Sequence, residues 1–135
     1  ADAVNLASRL ETLTKDYSAG IIISQQTLIN IEQFDQYNLR FLDKVKVKGK
    51  NQAVSVFEVF EGDSEQLKQL KIQTRTEFEQ AVILYHQQKF NEAQILFNEV
   101  MHINPQDQAV ILYIKRCEKY QNYPENWGFI YNSDI

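Results

Sequence analysis

The spacing of apolar residues predicts a helix near the start of the chain, from about Asp2 to Tyr17. Its apolar positions recur at intervals of three and four, which places them on one stripe of a helix: Leu6, Leu10, Leu13 and Tyr17. Ser18-Ala19-Gly20 ends the pattern, with Gly20 as a candidate C-terminal stop. The β-branched run 21–24 then predicts a short buried strand, and Ser24 can cap a short helix through Asn30.

Two further strands are predicted over Leu39–Lys48 and Ala53–Phe60, and the turn 49–52 joins them into a hairpin. Strand alternation places the lysines of the first strand on one face and its valines on the other: Lys44, Lys46 and Lys48 against Val45 and Val47. Residues 1–61 therefore mix helices and strands.

Residues 62–122 show helical periodicity and no strand pattern. Asp63 or Ser64 can cap a new helix, and the periodic segments are Glu77–Gln87, Phe90–Ile103 and Gln106–Tyr120. The predicted fold class is α+β, with residues 123–135 forming an irregular aromatic tail. We expect that tail to pack back on the helices, with a ligand pocket around Trp127 as the alternative.

Composition narrows the function classes. The chain has 135 residues, a net charge of −4 and a pI near 5.2, which argues against broad nucleic-acid binding because that binding depends on phosphate neutralisation. No apolar run approaches the roughly 20 residues of a membrane helix. Cys117 is the only cysteine, which fits a reducing cytosol and a structural thiol. His86 and His102 are expected on helix surfaces rather than as metal ligands.

The first helix carries the most informative polar pair. Asn5 and Arg9 lie four residues apart, so both side chains leave the same flank of a helix. A guanidinium binds phosphate oxygens through forked donors, and an amide can orient a sugar oxygen, so the pair suits a nucleotide phosphate ester. The alternative is structural, with Asn5 as a cap and Arg9 paired with Glu11 or Asp16.

A second polar feature lies at the predicted hairpin. Lys44, Lys46, Lys48 and Lys50 form a local positive patch in an acidic chain, and Gly49 allows a close backbone approach. Taken alone, the patch has a structural reading as a solvated strand face whose lysines protect a sheet edge.

The ordered set VNLASRLE, IIIS, VKVKGK and VSVFEV resembles the end of the class III nucleotide cyclase catalytic domain over residues 1–60. This resemblance implies an incomplete ferredoxin-like segment of an adenylate or guanylate cyclase. It implies that Asn5 orients the ribose or the transition state and that Arg9 stabilises charge on the α-phosphate. Lys48 would bind the terminal phosphates, with Lys50 as the neighbouring alternative.

The same resemblance implies a two-sided site. In the family, one domain of a dimer supplies two metal-binding aspartates for Mg²⁺ or Mn²⁺, and the other supplies the Asn, Arg and Lys. Those aspartates and the purine-selecting residues belong to a region before Ala1, which itself replaces the family's usual glycine. The expectation is therefore a cytoplasmic adenylate cyclase segment, acting on ATP or GTP, that is inactive without its metal side.

Thr74 to about Asp107 resembles one tetratricopeptide repeat, a helix-turn-helix unit. The matching residues are Ala81, Leu84, Tyr85, Phe90, Ala93, Phe97 and Pro105. Glu77, Gln88 and Val100 depart from the repeat pattern, since an aromatic residue, a glycine and a small residue are usual there. This resemblance implies a helical extension that could bind a protein partner, and a non-catalytic interaction module is the alternative function.

Overall fold

The structure is a computed structural model that describes residues 10–46, 52–128 and 130–131. The chain divides into two compact units. We call residues 1–62 with 129–135 the sheet unit, and residues 63–128 the helical unit. The mixture of helices and an antiparallel sheet confirms the predicted α+β fold class.

The sheet unit has the element order that the hydrophobic pattern predicts. A first helix, α1, occupies residues 10–16 of the described part. It is followed by strand β1 (Ile21–Ser24), helix α2 (Gln25–Ile29), a 3-10 turn (Phe34–Gln36) and the hairpin strands β2 (Leu39–Lys46) and β3 (Ala53–Val59). Ser24 caps α2, since its hydroxyl accepts a hydrogen bond from the Thr27 amide at 3.2 Å. Val47 and Lys48, which were predicted to continue β2, lie outside the described residues.

The sheet has the strand order β1-β3-β2-β4. β3 pairs antiparallel with β1 and with β2, and the short strand β4 (Ile130–Tyr131) pairs parallel with β2. The prediction of a wholly irregular tail was therefore wrong for residues 130–131. Two residues are too few to produce a readable alternation, so only pairing with β2 reveals them as a strand.

The predicted stretch Ser18-Ala19-Gly20 does end α1, but its candidate stop residue, Gly20, was wrong. Ser18, and not Gly20, takes the left-handed conformation that ends the helix, with a φ of 53°. The Ala19 amide then donates to the Thr14 carbonyl at 2.9 Å, which satisfies an orphan carbonyl of the last turn. The left-handed conformation favours glycine but does not require it, so the position of Gly20 in the sequence indicated the wrong residue.

The helical unit contains α3 (Glu65–His86), α4 (Phe90–Ile103) and α5 (Gln108–Asn122). Ser64 caps α3 as predicted, because its hydroxyl accepts from the Leu67 amide at 3.3 Å. α3 begins twelve residues before the predicted segment at Glu77, because the Gln-, Leu- and Lys-rich stretch before it is a good helix former without a clear apolar stripe. A 3-10 turn (Pro124–Asn126) follows α5.

Aromatic rings form the core of the helical unit. Phe97 stacks on Tyr113 with ring centroids 4.8 Å apart, and Phe78 meets both rings edge-on. Tyr85 extends the cluster towards Trp127, whose ring centroid lies 6.3 Å from it. The expectation that the tail packs back on the helices is confirmed for Trp127, but it was wrong for residues 130–131, which pair with β2.

Candidate functional site

The four residues predicted to contact nucleotide lie outside the described part of the chain. These are Asn5, Arg9, Lys48 and Lys50. The elements next to them in sequence are described: the described part of α1 begins at residue 10, directly after Arg9, and β2 ends two residues before Lys48. The structure therefore reports how the supporting elements are held, while the roles of the four residues stay predictions.

α1 is anchored through its apolar stripe. Leu13 is fully buried and Tyr17, directly after the helix, is 2% exposed. Both belong to the stripe predicted from the spacing, and their burial fixes which side of α1 faces the core.

A buried polar contact joins the end of α1 to β2. The Tyr17 hydroxyl donates to Asp43 Oδ2, and Asp43 is 1% exposed. Asp43 Oδ1 accepts from the Lys44 amide at 2.7 Å. The contact thus links the predicted Asn-Arg helix to the strand that leads into the lysine patch.

A second buried contact joins the two hairpin strands. Arg40 on β2 lies directly opposite Glu58 on β3, and Arg40 Nε donates to Glu58 Oε1 at 2.5 Å. Both side chains are 1% exposed. A buried ion pair of this kind adds little net stability compared with two well-packed apolar side chains of similar volume. Removing one partner is costly, however, because the other charge then stays buried without compensation from it.

Between these two contacts, β2 contains a β-bulge. The pairing with β3 runs regularly through Phe41 opposite Phe57, skips Leu42 and resumes with Asp43 opposite Val56. After the bulge, Val45 is fully buried while Lys44 and Lys46 are partly exposed. The predicted separation of lysines from valines is thus confirmed for the described residues, although the bulge that produces it was not predicted.

This arrangement gives β2 a cationic face whose neighbouring positions are buried. Lys44 and Lys46 lie on one face of β2, the face that would attract phosphate oxygens. Within the described residues, no cluster of three or more histidine, cysteine or acidic side chains is placed to hold a metal ion.

The remaining candidate groups lie in the helical unit. Cys117 is fully buried, and its pKa is raised from 9.0 to about 12, mainly by burial, while Arg116 lowers the pKa and Glu118 raises it by smaller amounts. Its thiol therefore stays protonated at neutral pH and is a poor nucleophile. His102 is exposed as expected, but His86 is half-buried, with its ring centroid 5.0 Å from that of Tyr85.

Sequence reasoning missed Arg40, Glu58, Asp43 and the role of Tyr17. Arg40 and Glu58 were readable in principle, since each is a charged residue within a strand pattern and the predicted hairpin brings their strands together. Asp43 carried no such signal, because its burial depends on the bulge.

Comparison with known proteins supports a relationship to adenylate cyclases. The chain is 38% identical over 117 residues to the terminal-differentiation specific adenylate cyclase of Dictyostelium discoideum. The aligned residues make up 86% of this chain and 6% of that protein. It is 49% identical over 59 residues to an adenylate cyclase of Anabaena cylindrica, and this alignment covers 43% of this chain and 12% of that protein. No family model matches the chain, and no solved structure matches it significantly.

The chain is thus a cyclase-related segment that spans a small part of the length of these relatives. Neither unit alone reaches 117 residues, so the similarity to the Dictyostelium protein extends into both units. None of the described helices combines the length and apolar character needed to cross a membrane.

Proposed function

We propose that the sheet unit is the C-terminal part of a class III adenylate cyclase catalytic domain, which converts ATP to 3′,5′-cyclic AMP and pyrophosphate. The similarity to two adenylate cyclases is the observation that carries this proposal. The Asn-x-x-x-Arg spacing and the lysine strand face support it, because they supply the cations and the amide that such a reaction requires.

The chemistry assigns a separate task to each proposed residue. Attack of the ribose 3′-oxygen on the α-phosphorus expels pyrophosphate, so negative charge moves onto phosphate oxygens. Arg9 would stabilise the charge at the α-phosphate, and Lys48 or Lys50 the charge on the terminal phosphates. Asn5 would orient the ribose or the transition state. Fixed cations accelerate the step because they act on charge as it develops.

The metal ions of such a site, two Mg²⁺ or Mn²⁺, would be held by carboxylates of a partner cyclase domain. The donor set of the described residues does not fit a metal ion, so we assign no step of the reaction to a metal held by them. We further propose that these 135 residues do not produce cyclic nucleotide by themselves, and that ATP rather than GTP is the substrate, as the names of the two relatives suggest.

The test is cyclic AMP production by the longer protein that contains this chain. Arg9→Ala should lower kcat by about a hundredfold, the cost of removing one group that stabilises transition-state charge. Arg75→Ala, a change in α3 of the helical unit, is the matched control and should leave kcat within twofold. Full activity of Arg9→Ala would remove Arg9 from the mechanism, and a folded parent that forms no cyclic nucleotide from ATP or GTP would refute the proposal.

A second candidate function is protein interaction through the helical unit. Its support is the exposure of three isoleucines on α3 and α4, of which Ile95 is 54% exposed: Ile83, Ile95 and Ile103. The tetratricopeptide resemblance favours the same role. A pull-down with the full chain, compared with Ile95→Glu, tests it: recovery of the same proteins by both would count against the surface.

A further inference from the structure

The β-bulge in β2 decides which face of the sheet carries the lysines. Before the bulge the even-numbered residue Arg40 is buried, and a regular strand would continue by burying residues 44 and 46. The bulge adds Leu42 to the strand and reverses this parity, so Asp43 and Val45 are buried instead. If the pairing of β2 with β3 slipped by one residue, Lys46 would therefore take the buried side and Val45 the exposed side.

The Tyr17–Asp43 contact lies immediately after the reversal. Asp43 is the first residue that pairs with β3 after the bulge, opposite Val56. One of its carboxylate oxygens accepts from the Tyr17 hydroxyl and the other from the Lys44 amide, so the side chain is bound on both sides. An apolar residue at position 43 could be buried in either of two registers, whereas the carboxylate of Asp43 meets the Tyr17 hydroxyl in only one of them.

We propose that Tyr17 and Asp43 form a register clamp, a pair of positioning residues that fixes the bulge and so holds the lysine face of β2 in place. As a statement about catalysis this rests on the proposed function, in which Lys48 is predicted to continue the same alternation two residues after Lys46. The clamp also ties β2 to the end of α1. The helix predicted to carry Asn5 and Arg9 and the strand predicted to carry Lys48 are thus held by one contact.

The register can be measured by thiol labelling, since Cys117 is buried and its thiol stays protonated at neutral pH. Lys46→Cys should react rapidly with a thiol reagent and Val45→Cys slowly, because residue 46 is partly exposed and Val45 is buried. Adding Tyr17→Phe, which removes only the hydroxyl, should raise the labelling rate at position 45 about tenfold. Adding Tyr37→Phe, at an exposed tyrosine, should not change it.

A second probe separates a clamp from a general loss of stability. Ile22→Cys lies on β1 opposite Glu58, away from the bulge, and Ile22 is buried. Tyr17→Phe should leave its labelling rate within twofold. Equal acceleration at positions 22 and 45, or no acceleration at position 45, would overturn the clamp. Deleting Leu42, the residue that the pairing skips, should remove the bulge while Asp43 stays opposite Val56, so the labelling order of positions 45 and 46 should be kept. An inverted order in a folded deletion variant would also overturn the clamp.

Activity of the longer protein provides the catalytic part of the test. Tyr17→Phe should lower kcat/KM for ATP about tenfold, mainly through a higher KM, because misplaced lysines bind the terminal phosphates less well in ground and transition states alike. Unchanged kcat/KM, in a protein that Arg9→Ala inactivates, would refute the catalytic role of the clamp alone. Absence of cyclase activity in the parent would refute the proposed function, while the labelling result would still decide the clamp.

Discussion

The sheet unit and the helical unit bury different kinds of side chain. The interior of the sheet unit contains a buried ion pair and a buried carboxylate, from Arg40, Glu58 and Asp43. The interior of the helical unit is built mainly from stacked and edge-on rings. Its buried charges lie near helix starts: Lys71, paired with Asp63 at 2.6 Å, in the first two turns of α3, and Asp107 at the N-cap of α5. Rings fill volume in many arrangements, whereas buried charges require one set of partners. We infer that the sheet unit gives up stability for a fixed strand register.

The largest expected effect comes from breaking the ion pair of the sheet unit. Glu58→Gln should lower the free energy of unfolding by about 3–5 kcal/mol, because it removes the negative charge that Glu58 places against the buried Arg40 guanidinium. Urea unfolding, followed by a probe in the sheet unit, measures the change.

The matched variant replaces both partners, as Arg40→Met with Glu58→Leu. Because the desolvation cost disappears along with the attraction, this double variant should recover most of the lost stability. A double variant as unstable as Glu58→Gln would show that the pair contributes net stability, and the contrast between the two units would then be weaker.

A smaller effect is expected from pH in the helical unit. The pKa of Cys117 is raised to about 12 by burial, so above pH 9 the unfolded chain loses a thiol proton that the folded chain keeps. Stability should therefore fall as pH rises, by about 1 kcal/mol between pH 9 and pH 10.

Cys117→Ala is the control for this prediction, since it removes the thiol while keeping the other titrating groups. The variant should be less stable at neutral pH, because it leaves a small cavity, but its stability should fall less steeply with pH. Parallel pH profiles for the two proteins would contradict the assignment to Cys117.

The smallest expected effect is a gain in stability at the turn between α3 and α4. Gln88 has a φ of 62°, and the Lys89 amide donates to the Leu84 carbonyl at 3.0 Å, which together form a left-handed helix end. Gln88→Gly should stabilise the helical unit by about 0.5–1 kcal/mol, because glycine adopts this conformation without strain.

Gln87→Gly is the matched control for Gln88→Gly. Gln87 has a φ of −84°, so glycine gains nothing there and only increases the freedom of the unfolded chain. Thermal unfolding of both variants tests the pair, and equal shifts of Tm in the same direction would exclude the left-handed conformation as the cause.

The two units also differ in how well their sequence predicted them. In the helical unit, most positions that the tetratricopeptide resemblance singled out are buried, and Leu84 is half-buried; the buried ones include Ala81, Tyr85, Ala93 and Phe97. They recur at helical spacing, and a 3.6-residue period indicates burial directly. In the sheet unit the strand positions were predicted closely, but Arg40 and Asp43 were not recognised as buried. Strand alternation predicts which side chains are buried only while the pairing stays regular, and the bulge in β2 interrupts the regular pairing.

Local patterns in the sequence determined the order of the elements and the chemistry of the candidate site. Apolar periods and capping residues are short-range properties, so α2, the hairpin and the α3 cap could be inferred from neighbouring residues alone. The spacing of Asn5 and Arg9 and the series of lysines in the hairpin are likewise visible in the sequence itself. Only the tertiary structure decided the register of β2, the burial of Asp43 against Tyr17 and the addition of β4 to the sheet. Each of these joins residues distant in sequence, and no local pattern specifies which distant partner a strand or a buried carboxylate will have.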